Sequence, residues 1–211
     1  MATCTSLITG HFTRAEECTY NTKQGISKAW IVNLDDILKG TDKTKATTVE
    51  ASGTTIRSLI LKEEKKLYRL EGVEENFQAT HTFVQRTYSK AVVHNFIYRL
   101  PYNGESQLLQ LQNLLTGAKG VVITKHLDRG QYGDTEFRVW GYEAGLSLSD
   151  TDSDSNANSG TTGLTLSSKE GQEESSVFKL LIIRAEGTDS TDGTADDVYT
   201  TEKVITDLEA S

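Results

Sequence analysis

The sequence has 211 residues, of which 36% are apolar, 8% aromatic and 25% charged, and its formal net charge is −8. This composition is typical of a globular chain with one full core or two small ones, and it excludes wholesale disorder. The longest aliphatic run, residues 180–183, is far shorter than the ~20 residues of a membrane helix, so we expect no membrane insertion.

We expect residues 1–25 to form an N-terminal arm and residues 26–211 a single β-rich domain. The first residues do not show the basic and apolar stretches of a secretory signal. Both cysteines, Cys4 and Cys18, lie in the arm. Two thiols are too few for a disulfide scaffold, so we expect them to be reduced, with a Cys4–Cys18 disulfide as the alternative.

The first predicted strand covers residues 26–34, where Trp30 and Val32 lie on one face and Ala29 and Ile31 on the other, so both faces should be covered. Residues 56–61 and 67–71 flank a charged five-residue loop, and this length favours a hairpin between them.

Strict alternation between residues 76 and 100 predicts two long antiparallel strands. The second strand places a row of side chains on one face: Val92, His94, Phe96, Tyr98 and Leu100.

One segment is predicted to be a helix, with Asn103 as its N-cap and Glu105 in the first turn. Gly117 stands just after its end, where a left-handed residue is expected. Leu108, Leu111 and Leu115 fall on one face at 3.6 residues per turn, so this helix should cover an open side of the sheet.

After the helix, residues 121–127 and 135–140 predict a second hairpin. Residues 149–163 and 186–197 are polar and acidic, and we expect both segments to be exposed, mobile loops. Strands are predicted at 164–166, 177–185 and 198–205. The fold class is therefore mainly β, a sandwich or barrel of about ten strands with one flanking helix.

Acidic side chains are concentrated near the C-terminus. Residues 1–148 carry 18 Lys and Arg against 16 Asp and Glu, whereas residues 149–211 carry 4 against 14. A surface that binds the phosphate groups of nucleic acids needs clustered Lys and Arg side chains, which the sequence does not show. We therefore expect no specific nucleic-acid binding.

Several groups of side chains could in principle form a metal site or a catalytic site, but none has the complete residue pattern of such a site. Asp150, Asp152, Asp154 and Asn156 resemble half of a calcium loop, yet Ser155 and Thr161 replace the glycine and the glutamate that such a loop requires. The other groups considered were Asp189, Asp192, Asp196 and Asp197, the histidines His11, His81, His94 and His126, and the pairs Glu63–Glu64 and Glu74–Glu75. We therefore predict no enzymatic activity, no metal site and no cofactor.

Long strands that extend past their own core present hydrogen-bonding edges, which must pair with something. In a repeating assembly the partner is a neighbouring copy, and closure into a ring removes the edge. The sequence therefore favours self-association as the function.

Four segments in this order are similar to structural proteins of tailed bacteriophages, in particular those of phages of gut Bacteroidales, which have a tail-tube-like fold. They are residues 25–36 (GISKAWIVNLDD, after Cys18), 79–83 (ATHTF), 137–146 (FRVWGYEAGL) and 163–170 (GLTLSSKE). The segment beyond Glu186 departs from what a minimal tube subunit would need.

This resemblance implies a virion tail component, made in the host cytoplasm, that forms a homo-oligomeric ring or stacked tube and contacts neighbouring tail proteins. In the tube fold, hairpins of several subunits line a lumen and the helix packs outside. DNA would pass through that lumen, and an acidic or neutral lining would let it pass without sticking.

The alternative is a β-sandwich on the virion surface that binds a carbohydrate or a receptor. Such a module would expose several Trp or Tyr side chains on one face, whereas Trp30 and Trp140 both lie in strands that look buried.

Overall fold

The computed structural model describes residues 25–71, 76–85, 90–100, 104–128, 136–153, 162–184 and 200–210. In these ranges the chain forms eleven strands, two α-helices and one turn of 3-10 helix, which confirms the mainly β fold with a flanking helix. The elements are β1 (Ile26–Asn33), the 3-10 turn (Leu34–Asp36), β2 (Thr48–Val49), β3 (Thr55–Ser58), β4 (Tyr68–Leu70), β5 (Phe77–Gln85), β6 (Lys90–Leu100), α1 (Glu105–Leu115), β7 (Gly120–His126), β8 (Phe137–Trp140), β9 (Leu146–Ser153), β10 (Thr162–Ser168), β11 (Lys179–Leu181) and α2 (Thr201–Leu208).

The strands form one sheet with two parts. The larger part has the order β4-β1-β7-β8-β11-β3-β2, and every pair in it is antiparallel except β11 with β3. The smaller part has the order β9-β10-β6-β5 and is antiparallel throughout. A single residue pair, Gly120 with Leu146, joins β7 to β9 and so links the two parts.

The larger part is covered on both faces, as the sequence of β1 predicts. Trp30 and Val32 pack in one apolar cluster, whereas Ala29 packs in the second, together with Phe96 and Leu166 of the smaller part. The same alternation in β7 explains its continuous apolar run, because a strand buried on both faces needs apolar side chains at successive positions. The smaller part therefore lies over one face of the larger part.

The long hairpin is confirmed over the residues described. Its register runs from Phe77 opposite Tyr98 to Gln85 opposite Lys90. All five residues of the row predicted on one face of β6 are buried, so this face is the inner one. The second hairpin is confirmed as well, since β7 pairs with β8 from Val122 opposite Trp140.

The predicted hairpin between residues 56–61 and 67–71 is wrong. Strand β3 pairs with β2 and β11, whereas β4 pairs with β1, so the two segments lie in different places in the sheet. Each segment is flanked by backbone contacts with other partners, such as the N–H of Leu67 donating to the carbonyl of Leu208 at 2.8 Å. Loop length permits a hairpin but does not select the partner strand.

The predicted last strand, residues 198–205, is also wrong, because residues 201–208 form helix α2. Thr201 and Ile205 are buried and Leu208 packs against the first cluster, which is a helical spacing. A short β-branched run is compatible with either element, and docking on the core selects the helix here.

The polar segment 149–163 contains strand residues at both ends. Asp150 pairs with Thr165 and Asp152 with Gly163, so β9 and β10 extend into it. Backbone pairing does not require apolar side chains. The polar composition of this segment therefore led to the prediction of a loop where these residues form strands. Residues 154–161, the acidic segment 186–197 and the N-terminal arm apart from Gly25 lie outside the described residues.

Helix α1 is confirmed at Glu105–Leu115, but the predicted N-cap is wrong: Gly104 is the N-cap, and Asn103, one residue earlier, lies outside the described residues. Gly117 has φ +103°, the left-handed conformation predicted after the helix. Its apolar face is rotated from the prediction, since Leu111 and Leu114 pack against the second cluster whereas Leu108 and Leu115 are exposed. No residue of the helix is buried.

Candidate assembly surface

The outer strand of the long hairpin leaves one edge open. Strand β5 pairs with β6 along its whole length, and no other described strand pairs with it. Its nine residues, FQATHTFVQ, contain no Asp, Glu, Lys, Arg or Pro. Natural edge strands usually carry such residues to block pairing with other chains. The open edge of β5 is therefore unprotected.

The side chains of β5 change from buried to exposed along the strand. Phe77, at one end, is buried and stacks on Tyr98 with 5.5 Å between ring centroids. Phe83, at the other end, is 68% exposed, although Val92, its partner across the hairpin, is only 5% exposed. The apolar face of β5 thus continues past the core, and Phe83 is an uncovered aromatic residue whose ring touches only His81 among the aromatic pairs described.

A cleft of about 790 Å³ lies at the Tyr98 end of the hairpin, beneath α1. Its apolar walls include Leu111 and Leu114 of α1, together with Phe96 of β6 and Leu166 of β10. Arg69 and Glu71 are the charged residues among the described ones that line it. The cleft can therefore accept an uncharged, partly apolar segment without desolvating a cluster of like charges.

Strand β4 forms another side of the cleft, which the four successive residues 68–71 line. Within the described residues β1 is the single partner strand of β4, and on the other edge Leu67, directly before β4, pairs with the C-terminal segment at Glu209. The Tyr98 hydroxyl donates to the Glu71 carbonyl at 2.6 Å and fixes the end of β4 against β6. Burial raises the pKa of Tyr98 to about 12, which keeps this donor protonated at neutral pH.

His81 and His94 face each other across the hairpin, as their positions predict. His94 is 1% exposed, and both of its ring nitrogens are occupied. Its Nδ1 accepts from the backbone N–H of Gly141 at 3.1 Å, so Nε2 carries the proton and donates to the Ser176 carbonyl at 2.9 Å. Burial lowers the pKa of His94, and the ring is a structural connector, with neither nitrogen left for a metal.

The other groups considered as metal sites do not converge in the described residues. His81 is exposed, and His126 contacts the hydroxyl of Thr124 at 3.0 Å. Burial and the neighbouring Arg138 lower the pKa of His126 to about 4. Across the part of the chain that the structure describes, no group of three or more His, Cys, Asp or Glu residues could hold a metal ion. Several candidates lie outside the described residues: His11, Asp154, Asn156, Asp189, Asp192, Asp196, Asp197, Glu74 and Glu75.

Sequence reasoning missed one buried acid, Glu174, which is 1% exposed. Its carboxylate accepts from the backbone N–H groups of Glu143, at 3.0 Å, and Ala144, at 3.1 Å. Burial raises its pKa. Glu174 thus holds the turn between β8 and β9, and nothing in the acidic run around it distinguishes it from the exposed Glu170.

No protein-family model, no curated protein and no solved structure matches the chain. Within the described ranges, neither helix has the length and hydrophobicity to cross a membrane.

Proposed function

We propose that this chain is a non-enzymatic structural protein of a phage tail, which assembles into a ring or a stacked tube around a DNA channel. The observation that carries the proposal is the unprotected, charge-free outer edge of β5, which is nine residues long. An edge of this length favours pairing with another strand, and in a homo-oligomer a neighbouring copy supplies it.

The reason for proposing a tail protein in particular is the resemblance of four segments to tail proteins. The structure puts them in strand β1, the hairpin strand β5, strand β8 with its following turn, and strand β10. These strands belong to both parts of the sheet. The resemblance therefore concerns the body of the fold and extends beyond its surface loops.

The distribution of charge is compatible with a passage for DNA. Asp150 and Asp152 are exposed on β9, within residues 149–211, the part of the chain that carries the acidic excess. Exposed carboxylates repel the phosphate backbone and so oppose adhesion of passing DNA.

The carbohydrate-binding alternative has weaker support. Trp30 and Trp140 are 3% and 2% exposed, so neither offers a stacking face to a sugar. The large aromatic residues that are exposed in the described part of the chain, Tyr68 and Phe83, belong to β4 and β5, on separate edges.

The experiment is mass measurement and negative-stain microscopy of the purified full chain, for the wild type and for Thr80→Lys with Thr82→Lys. We expect rings or tubes from the wild type and monomers from the double variant, because two lysines on β5 block pairing of its edge. The control places the same change on two other exposed threonines, Thr41→Lys with Thr206→Lys, and should assemble like the wild type. A wild-type chain that stays monomeric at high concentration would contradict the proposal.

A further inference from the structure

We infer that β5 pairs with the same strand of a second copy, in antiparallel orientation, about a two-fold axis that passes through His81. This inference rests on the self-assembly proposed above and specifies which strand the neighbouring copy supplies. The occupant of the open edge of β5 is therefore β5 of a second copy of this chain.

Two of the other sheet edges in the described residues are short and already occupied. Strand β2 has two residues, and Thr47, directly before it, pairs with Lys39. Strand β4 has three residues, and Leu67, directly before it, pairs with Glu209 of the C-terminal segment. Arg69 in β4 also brings a charge to this edge. Neither strand offers an edge as long as that of β5.

Strand β9 has a longer outer edge, but this edge is protected. Beyond Leu146, which pairs with Gly120 of β7, no other described strand pairs with its outer side. Asp150 and Asp152 are exposed there, and one extra residue, Ser149, interrupts the pairing of β9 with β10. Charged side chains and bulges are features by which edge strands avoid pairing with other chains. Among the described strands, β5 thus has the one long edge without charged residues, and the partner that fits it is its own copy.

The side-chain alternation of β5 limits the register of such a pair. Side chains on the same face must lie opposite each other, which in an antiparallel pair of identical strands places one residue opposite itself. With His81 in that position, all nine residues from Phe77 to Gln85 have a partner. Any other central residue leaves part of the strand unpaired, so the axis at His81 gives the longest pairing.

In this register the strand is complementary to itself. Phe83, which is 68% exposed, lies opposite Ala79, which packs against the second cluster, and diagonally from Phe77. Aromatic side chains reach across both of these distances in an antiparallel pair. On the other face Thr80 lies opposite Thr82, and two threonines in such positions form a hydrogen bond. Each contact occurs twice because of the two-fold axis, and no Asp, Glu, Lys or Arg side chains of β5 meet.

A two-fold contact has a consequence for the size of the assembly. It joins copies in pairs, so a ring built from it has an even number of copies and is closed by a second contact between pairs. Each pair presents that second contact twice, which makes the association of pairs much stronger than the association of single chains. Loss of the β5 contact therefore leaves single chains.

The test places charges on the two threonines that face each other. Thr80→Lys with Thr82→Lys puts lysine opposite lysine, and Thr80→Glu with Thr82→Glu puts glutamate opposite glutamate, so neither variant should assemble. Thr80→Lys with Thr82→Glu puts lysine opposite glutamate twice, and we expect it to assemble at least about ten-fold more tightly than the two-lysine variant. The matched control, Thr41→Lys with Thr206→Glu, changes exposed positions outside the contact and should assemble like the wild type.

An equimolar mixture of the two-lysine and the two-glutamate variants gives the decisive result. Each variant repels its own copy but is complementary to the other, so the mixture should form assemblies with even copy numbers in mass photometry. Urea unfolding checks that both variants are folded.

Three outcomes would overturn the two-fold contact while assembly through β5 still stands. They are a mixture of folded variants that stays monomeric, a lysine–glutamate variant that assembles no better than the two-lysine variant, and a wild-type ring with an odd number of copies. A monomeric wild type would instead overturn the assembly itself.

Discussion

Nδ1 of His94, in β6, accepts a hydrogen bond from the backbone N–H of Gly141, 3.1 Å away, in the turn that follows β8. This bond connects the smaller part of the sheet to the larger one. A protonated ring would place an N–H against the N–H of Gly141 and lose the bond. The neutral ring is therefore part of the folded structure.

The first prediction concerns how the free energy of unfolding changes with pH. Burial lowers the pKa of His94 in the folded state below its ordinary value of 6.5, so protonation favours the unfolded chain. The free energy of unfolding should be level above about pH 7.5 and decrease as the pH falls through about 6.5 toward the folded-state pKa. Urea unfolding at pH 8 and at pH 5.5 measures the decrease.

Two other groups with shifted pKa values set the controls. His126, whose pKa is lowered to about 4, acts in the same direction, whereas Glu174, whose pKa is raised, acts in the opposite one. His94→Gln and His126→Gln should each make the decrease between the two pH values smaller. A decrease of the same size in the wild type and in both variants would show that neither histidine is linked to folding.

The second prediction concerns Glu174. Glu174→Ala leaves the N–H groups of Glu143 and Ala144 without their acceptor in a buried place and should lower the free energy of unfolding by about 3 kcal/mol. Glu174→Gln keeps one acceptor oxygen, so we expect a loss of about 1 kcal/mol. Urea unfolding at pH 7 compares the two variants. Equal losses of free energy would mean that the hydrogen bonds accepted by Glu174 do not stabilise the fold.

The third prediction tests the C-terminal helix. Ile205 of α2 is fully buried in the first cluster, so Ile205→Ala should cost about 2–4 kcal/mol. Val204→Ala, at the half-buried neighbouring position, should cost less than about 1 kcal/mol. Thermal or urea unfolding measures both variants, and a mild effect at Ile205 would show that α2 does not close the core.

The fourth prediction compares two glycines with positive φ. Gly117 has φ +103° and open space around the position of a Cβ, so Gly117→Ala should cost only backbone strain, about 1 kcal/mol. Gly141 has φ +73°, and a Cβ there would lie 2.6 Å from Cγ of Leu146. Gly141→Ala should therefore cost about 3 kcal/mol or more, measured as the shift in the urea midpoint. Similar losses at both positions would contradict the tight packing of the turn.

The candidate surface was accessible to sequence reasoning only in part. The alternation in β5 and β6 and the lack of charge in β5 indicate a long hairpin with a pairing edge. The cleft beneath α1 could not be predicted in the same way, because the consecutive elements β6 and α1 form it together with β4 and β10, and β10 is about fifty residues further along the chain. Which leucines of α1 face the sheet depends on how the helix docks, and the sequence misplaced Leu108 for that reason.

Local sequence was enough to predict the strand character of the chain, the alternation of β6, the burial of Trp30 and the left-handed turn at Gly117, since each depends on neighbours a few residues apart. Tertiary structure decided the partners of β3 and β4, the helix at residues 201–208, the extension of β9 into an acidic segment and the role of Glu174. These features depend on which distant backbone or core surface a segment contacts, and local sequence periodicity does not specify that partner.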